Sequence, residues 1–195
     1  MTRDPLRVGP LVAERNRFVD TIETLTDDEF EHGSTLCSEW SPRDVLAHLV
    51  TTGDMRAYVR NAGRIDKTNS ELVDSLRRLD RAALTARGRR WAVAPGGVDR
   101  AAARFLIGDV AVHHQDVLRG LGRRRELPAG IAAAILREGI TLSSFTGNVL
   151  WRNRVDPTDG EHRAVGRGRL VRGCTEALGL WLGGRYGLEA ELEFA

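Results

Sequence analysis

The stretch DRAAARFLIGDVAVHHQDVLRGL, residues 99–121, decides how this chain folds. Its apolar residues recur at steps of three and four, which is the spacing of one face of an α-helix, and it predicts a helix over these residues. The predicted inward stripe consists of residues 102, 105, 106, 109, 112, 113 and 116. It therefore contains Asp109, His113 and Asp116, although charged side chains are rarely buried without partners.

Further helices are predicted on both sides of this stretch. The apolar spacing indicates them at about residues 5–25, 42–61, 72–88 and 128–145. The start of the second is marked by Ser41 as N-cap, Pro42 at the first helical position and Asp44 in the first turn. Trp40 is expected to pack on Val45 as a hydrophobic staple. Short loops between such helices favour antiparallel neighbours in a bundle.

The sequence changes in character after residue 150. VDPTDGEH, residues 155–162, is typical of turns, and RAVGRGRLVRG, residues 163–173, indicates extended chain with glycines. TEALGLWLGGR, residues 175–185, predicts a short helix. Apolar residues alternate with glutamates over 188–194, which predicts a strand with one solvent-exposed face. The chain is therefore expected to be mainly α, with a helical bundle over residues 1–150 and a small α/β domain over 151–195.

Core packing is the default expectation for the large aromatic side chains of Trp91, Trp151 and Trp181.

Composition limits the classes of function. The 195 residues are 42% hydrophobic, which is enough for a sizeable core, and the net charge is only +2 from 29 basic and 27 acidic groups. So balanced a surface argues against nucleic acid as a partner. No run approaches the roughly 18 apolar residues of a membrane span, and the first ten residues lack the apolar region of a secretory signal. A cytoplasmic protein without a membrane partner is expected.

Two cysteines, Cys37 and Cys174, are too few and too far apart for a disulfide framework or a cysteine-rich zinc finger. Both are expected to be reduced and to act as small buried hydrophobic residues.

The polar residues of the central helix suggest metal binding. Asp109 and His113 are four residues apart, so they lie on one side of a helix and address one point in space. His48, at the border of the apolar face of the second helix, supplies a third candidate ligand. Two histidines and a carboxylate with an open position suit Zn, Fe, Ni or Co. The alternative is that His48 and His113 are ordinary half-buried histidines paired with nearby carboxylates.

Three stretches carry a resemblance to a known family. They are TLCSEWSPRDVLAHLV at 35–50, DVAVHHQDVLRGLG at 109–122 and VRGCTEALGLWLGGR at 171–185. Together they resemble the mycothiol-dependent maleylpyruvate isomerase family, a branch of the DinB-like metal-binding bundles. The resemblance covers both parts of the chain in order, and it implies a DinB-like four-helix bundle followed by a small α/β C-terminal domain.

The resemblance also implies roles for individual residues. His48, Asp109 and His113 would hold a divalent metal, zinc in the first place, and Asp116 and Arg185 would be the polar groups near substrate and thiol. The family usually has Glu where this chain has Asp109. Without the resemblance, Arg185 serves equally well as an ordinary cap of its helix.

The function implied is that of a metal- and thiol-dependent enzyme that uses mycothiol or another low-molecular-weight thiol. Its small-molecule substrate would be a maleylpyruvate-like unsaturated acid in a cis-trans isomerisation, or an electrophile in a related S-transfer. The sequence does not separate these two reactions. The alternative is a metal- or ligand-binding helical bundle without turnover.

Overall fold

A computed structural model describes residues 8–37, 39–159 and 163–195. Within these residues the helices are α1 Val8–Thr24, α2 Asp27–His32, α3 Pro42–Leu49, α4 Met55–Arg60, α5 Ile65–Ser75, α6 Arg81–Val93, α7 Gly97–Gly120, α8 Ala129–Thr146 and α9 Thr175–Leu182. The strands are β1 Asn153–Pro157, β2 Val165–Gly166, β3 Arg169–Gly173 and β4 Leu192–Phe194. The expected class, mainly helical with a small α/β C-terminal part, is confirmed.

The first helix agrees with its prediction, except that predicted residues 5–7 lie outside the part of the chain that the structure describes. The short helix α2 was not predicted from the sequence. Thr26 and Glu29 form a capping box at its start, each side chain accepting a hydrogen bond from the other residue's backbone N–H.

The predicted single helix over 42–61 is wrong, because α3 and α4 are separated by a turn. The Thr51 hydroxyl donates to the backbone carbonyls of Ala47 at 2.8 Å and His48 at 2.9 Å. Such local bonds compete with helical pairing. Asp54 then caps α4 by accepting the N–H of Ala57 at 3.2 Å.

The weak pattern over 72–88 is likewise divided between two helices, α5 and α6. Asp80 caps α6 through the N–H of Ala83 at 2.7 Å. Arg43 fills the break, since its guanidinium donates to the carbonyl of Leu79 at 2.6 Å and to that of Arg77 at 3.2 Å. These contacts satisfy backbone groups that a continuous helix would have paired internally.

The described chain divides into two compact units, whose boundaries are not those of the predicted domains 1–150 and 151–195. The predicted domains stay a prediction. Among the described residues, the first unit comprises 8–37, 39–106 and 116–123, and the second comprises 107–115, 124–159 and 163–195. In the first, α1 packs against α6 and α3, and α3 packs against α2, α5 and α6. Fully buried side chains form its core, among them Phe18, Ile22, Leu46, Leu49 and Leu84.

In the second unit α8 crosses α9 closely, and α9 also contacts β1 and β3. A Cβ at Gly139 would lie 2.9 Å from the Cα of Gly179, so the crossing requires glycine. The strand order is β2-β1-β3-β4. Strands β1 and β3 are parallel with Val155 opposite Val171, and the other two pairs are antiparallel.

Three expectations for the second half of the chain need correction. The predicted strand over 188–194 is only β4, because Glu189–Glu191 form a 3-10 turn before it. Strand β1 extends into the predicted turn region, of which residues 160–162 lie outside the described chain. Trp151 is 66% exposed, and its ring lies against the Arg152 guanidinium rather than in a core.

No helix among the described residues combines the length and apolar character needed to cross a membrane.

Candidate functional site

Helix α3 carries His48 in its last turn. The helix begins as predicted, with Pro42 in the first turn and a capping box in which the Ser41 and Asp44 side chains each accept the other residue's backbone N–H. Because the helix begins at Pro42 and has eight residues, His48 lies in its last turn. The His48 side chain is buried there, with 5% of its residue surface exposed.

Trp40, just before this helix, lies against the His48 ring. The two ring centroids are 4.8 Å apart and the planes are tilted by 44°. Packing against a large aromatic side chain restricts the orientation of the imidazole. The predicted contact of Trp40 with Val45 stays a prediction.

Helix α7 carries the other predicted ligands. Asp109 and His113 lie one turn apart, with 3.6 Å between Asp109 Oδ1 and His113 Nε2. His113 is buried, and Asp109 is partly exposed. The predicted stripe is wrong nearer the start of the helix, because Phe105 is 60% exposed there. Between Val110 and Leu118 every residue is buried, so polar side chains are enclosed on all faces of this segment.

The three residues predicted as ligands come together. His48, Asp109 and His113 each offer one ligand atom, and these atoms all lie within 4.8 Å of one another. Bonds of about 2.0–2.2 Å in a tetrahedral zinc site place ligand atoms roughly 3.3 Å apart, so modest side-chain adjustment would suffice. Two imidazoles and a carboxylate are also a donor set that borderline divalent metals accept. The residues therefore fit a divalent metal.

Asp116 is fully buried and makes a contact that was not predicted from the sequence. Its Oδ2 accepts a hydrogen bond from the Cys37 thiol at 2.9 Å, and its backbone carbonyl accepts the Leu36 N–H at 3.1 Å. Cys37, His113 and Asp116 also form a group whose candidate ligand atoms lie within 4.8 Å. Cys37 is thus half-buried beside a polar group rather than a plain hydrophobic residue. The two partners are 79 positions apart in the sequence, so no local spacing predicted this contact.

Arg185 follows the end of α9. Its Nη1 donates to the carbonyl of Gly183, the C-cap residue of that helix, at 2.8 Å. This contact is the helix-capping role that the sequence left open, and Arg185 is still partly exposed. Its guanidinium also acts electrostatically on Glu138 of α8.

Glu138 on α8 is a further acidic residue near these groups, and it was not predicted from the sequence. Burial, and then the charge of Asp109, raise its pKa from 4.5 to about 7, against the lowering effects of His113, Arg137 and Arg185. The available signal was one acid in the apolar stretch GIAAAILREGITL, residues 130–142. A single acid with no partner at helical spacing is weak evidence, which explains the omission.

Known structures resemble this fold over nearly its whole length. A crystal structure of a histidine mutant of mycothiol-dependent maleylpyruvate isomerase matches with a TM-score of 0.67 at 13% identity, covering 97% of this chain and 91% of that one. A second crystal structure of mycothiol-dependent maleylpyruvate isomerase matches with a TM-score of 0.61, the same identity and the same coverage.

The chain has the fold of mycothiol-dependent maleylpyruvate isomerase. The resemblance seen in the sequence is thereby confirmed as a shared fold, and it includes both the helices and the C-terminal sheet. No protein-family model and no curated protein matches the chain. At 13% identity the likeness to mycothiol-dependent maleylpyruvate isomerase shows the fold alone. The roles of individual residues therefore rest on their geometry and chemistry.

Proposed function

We propose that the protein is a metal- and thiol-dependent enzyme that isomerises a small cis-unsaturated acid, with maleylpyruvate-like compounds as the substrate class. The observation that carries this proposal is the convergence of His48, Asp109 and His113 within 4.8 Å. The shared fold with mycothiol-dependent maleylpyruvate isomerase favours mycothiol as the thiol.

His48 and His113 would hold the metal through imidazole nitrogen, and Asp109 through a carboxylate oxygen. A divalent metal with three protein ligands supplies an open position that favours the thiolate form of a bound thiol. Aspartate is shorter than the glutamate usual in the resembled family. The 3.6 Å separation between Asp109 and His113 supports the view that the shorter side chain still reaches the ligand group.

The isomerisation needs a nucleophile that adds reversibly. The cofactor thiolate would add to one carbon of the conjugated cis double bond, and the electron pair of that bond would move onto the adjacent carbonyl. Rotation about the resulting single bond, followed by expulsion of the thiolate, gives the trans product. Atoms and electrons balance, and the thiol is regenerated.

Asp116 and Arg185 would handle the polar parts of the reactants. The buried Asp116 carboxylate already accepts a thiol hydrogen bond from Cys37, so it is suited to orienting a sulfhydryl group. The Arg185 guanidinium would bind a substrate carboxylate in two-pronged fashion, which a lysine cannot reproduce. In an S-transfer reaction the same thiolate would attack an electrophile and stay attached.

The test is a screen of zinc-loaded protein with mycothiol, glutathione or no thiol. Cis-enone acids and alkylating electrophiles serve as the two substrate classes. We expect trans product only with a thiol, and most with mycothiol. Accumulation of a thiol conjugate would instead assign S-transfer, and no conversion of either class would favour a binding bundle without turnover.

Two substitutions test the roles proposed for Asp116 and Arg185. Asp116→Asn should retain the metal and lower turnover, and Arg185→Lys should weaken substrate binding. The control is Arg167→Lys, since Arg167 is exposed and lies in the turn between β2 and β3. Kinetics of Arg185→Lys that match this control would remove Arg185 from the site.

A further inference from the structure

Cys37, His113 and Asp116 form a second group of candidate metal ligands. One atom of each lies within 4.8 Å of the others, and Cys37 Sγ lies 2.9 Å from Asp116 Oδ2. Asp116 is fully buried and His113 is 7% exposed, so water is largely excluded from two of the three donors. Sulfur, imidazole nitrogen and carboxylate oxygen are all ligands that zinc accepts in proteins. The group is therefore chemically suited to a divalent ion.

The segment that carries Cys37 is held against the end of α7. The Leu36 N–H donates to the backbone carbonyl of Asp116 at 3.1 Å. A Cβ at Gly120 would lie 2.3 Å from the carbonyl oxygen of Ser34, so this close approach requires glycine. The backbone before Cys37 thus lies along the last turns of α7, which places the thiol beside Asp116.

Further hydrogen bonds hold the turn around the thiol. The Thr35 hydroxyl accepts the Cys37 N–H at 3.0 Å and donates to the carbonyl of Trp40 at 2.7 Å. The Trp40 N–H in turn donates to the Cys37 carbonyl at 2.8 Å. Because these bonds hold the backbone on both sides of Cys37, its sulfur is positioned before any ion binds.

The two groups of candidate ligands share His113 and differ in their other donors. The first adds the imidazole of His48 and the carboxylate of Asp109. The second adds the sulfur of Cys37 and the carboxylate of Asp116. Among the described residues these two pairs occur in no common group, so all the donors do not surround one point. Because one imidazole serves both groups, they are alternative positions for a single ion.

We propose that Cys37, His113 and Asp116 hold the divalent ion while no cofactor thiol is bound. This inference rests on the proposed function. As the bond between Cys37 and the ion forms, the S–H bond breaks, its electron pair stays on sulfur and the proton passes to solvent. When the cofactor binds, its sulfur loses a proton and displaces Cys37, which regains one, and the ion passes to the group that contains His48. No oxidant or reductant is needed.

In this role Cys37 competes with the cofactor thiol. An internal sulfur that occupies the ion about nine-tenths of the time lowers the apparent affinity for an external thiol about tenfold. Cys37→Ser keeps the size of the side chain and a hydrogen-bond donor for Asp116, but it offers no sulfur. It should therefore bind mycothiol about tenfold more tightly than the wild type.

The experiment uses cobalt(II) in place of zinc, because a sulfur ligand gives cobalt(II) a charge-transfer band in the near ultraviolet. Protein loaded with one cobalt ion per chain is kept reduced with a phosphine, and its spectrum is recorded before and after mycothiol is added. The wild type and His48→Ala should both show the band before mycothiol, since the second group is complete in each. Cys37→Ser should show the band only after mycothiol is added.

The matched control is Cys174→Ser. Cys174 is the other of the two cysteines in the chain, and it belongs to neither group of candidate ligands among the described residues. Its spectrum should equal that of the wild type. Because a band retained in Cys174→Ser must come from Cys37, this control identifies the sulfur ligand even if Cys37→Ser does not fold.

Three results would count against the proposal. A cobalt-loaded wild type that shows the band only after mycothiol is added would overturn the second position and leave the proposed function intact. A wild-type band that is lost from cobalt-loaded His48→Ala would show that Cys37 binds the ion only together with His48, which also overturns the alternative position. Failure of the wild type to bind cobalt would overturn both this proposal and the proposed function.

Discussion

Two acidic positions along α7 have opposite surroundings. Near its start, Asp99 lies 2.6 Å from the Arg15 guanidinium and accepts the Gly96 N–H at 2.7 Å. Burial raises the pKa of Asp99, but the bonds from Arg15 and Gly96 outweigh it and the net pKa is lowered. The second position is Asp109, further along α7. Burial and the charge of Asp109 together raise the pKa of Glu138 on the neighbouring helix in sequence, α8.

The contrast distinguishes a carboxylate compensated by an arginine from an acid of the proposed metal site. At Asp99 a buried arginine, 1% exposed and lying 4.3 Å from the Trp91 ring centroid, compensates the carboxylate. At Glu138 the negative charge of Asp109 is instead unfavourable, since it adds to the effect of burial in raising the pKa of Glu138. Strongly perturbed acids beside candidate ligands are typical of active sites.

Removing the partner of Asp99 should have the largest effect on stability. Arg15→Met leaves a partly buried carboxylate without its counter-ion, and the free energy of unfolding should fall by about 3 kcal/mol. Urea denaturation measures it. The control is Arg77→Met, whose ion pair with Asp74 is exposed to solvent and should contribute little to stability. Equal effects of the two substitutions would show that the Arg15 pair is no more than a surface contact.

A methyl group at Gly108 should have an intermediate effect. Gly108→Ala places a Cβ 2.9 Å from both the Ala134 carbonyl oxygen and Glu138 Cβ, which should lower the free energy of unfolding by about 2 kcal/mol. Gly130→Ala is the matched control because nothing lies within 4 Å of a Cβ there. Calorimetry compares the two, and a stable Gly108→Ala protein would mean that Glu138 does not approach α7 this closely.

The smallest effect is expected for Glu138→Gln, and it depends on pH. The folded-state pKa of about 7 lies above the ordinary 4.5, so the folded metal-free protein binds more protons between these values and loses stability as pH rises through them. With allowance for solvent screening of a partly exposed group, the loss is about 1 kcal/mol.

Urea midpoints at about pH 5 and about pH 8 check this prediction, since these values bracket most of the titration. The difference between wild type and Glu138→Gln should shift in favour of the variant at the higher pH. A constant difference would show that Glu138 titrates normally in the folded protein.

The sequence contained enough information for the long helices and for the start of α3. The spacing of apolar residues predicted α1, α7 and α8, and Ser41, Pro42 and Asp44 marked the capping box. Periodicity could not show the break after Leu49, because it depends on the bonds of the Thr51 hydroxyl to carbonyls of the preceding turn.

The candidate site was predictable where its residues interrupt an apolar pattern. His48, Asp109 and His113 do so, and the structure places their ligand atoms together. The contact of Cys37 with Asp116 and the placement of Glu138 against Gly108 depend on tertiary packing. Neither has a spacing within one helix from which it could be inferred.

The most direct test of the account is the zinc affinity of the purified protein, measured by competition with a chelator. The wild type and His32→Ala, a substitution at an exposed histidine of α2, should each bind one zinc ion per chain. His113→Ala should bind zinc more weakly by at least the roughly hundredfold that loss of an outer partner can cost. Equal zinc affinity in all three proteins would contradict the assignment of His48, Asp109 and His113 as a metal site.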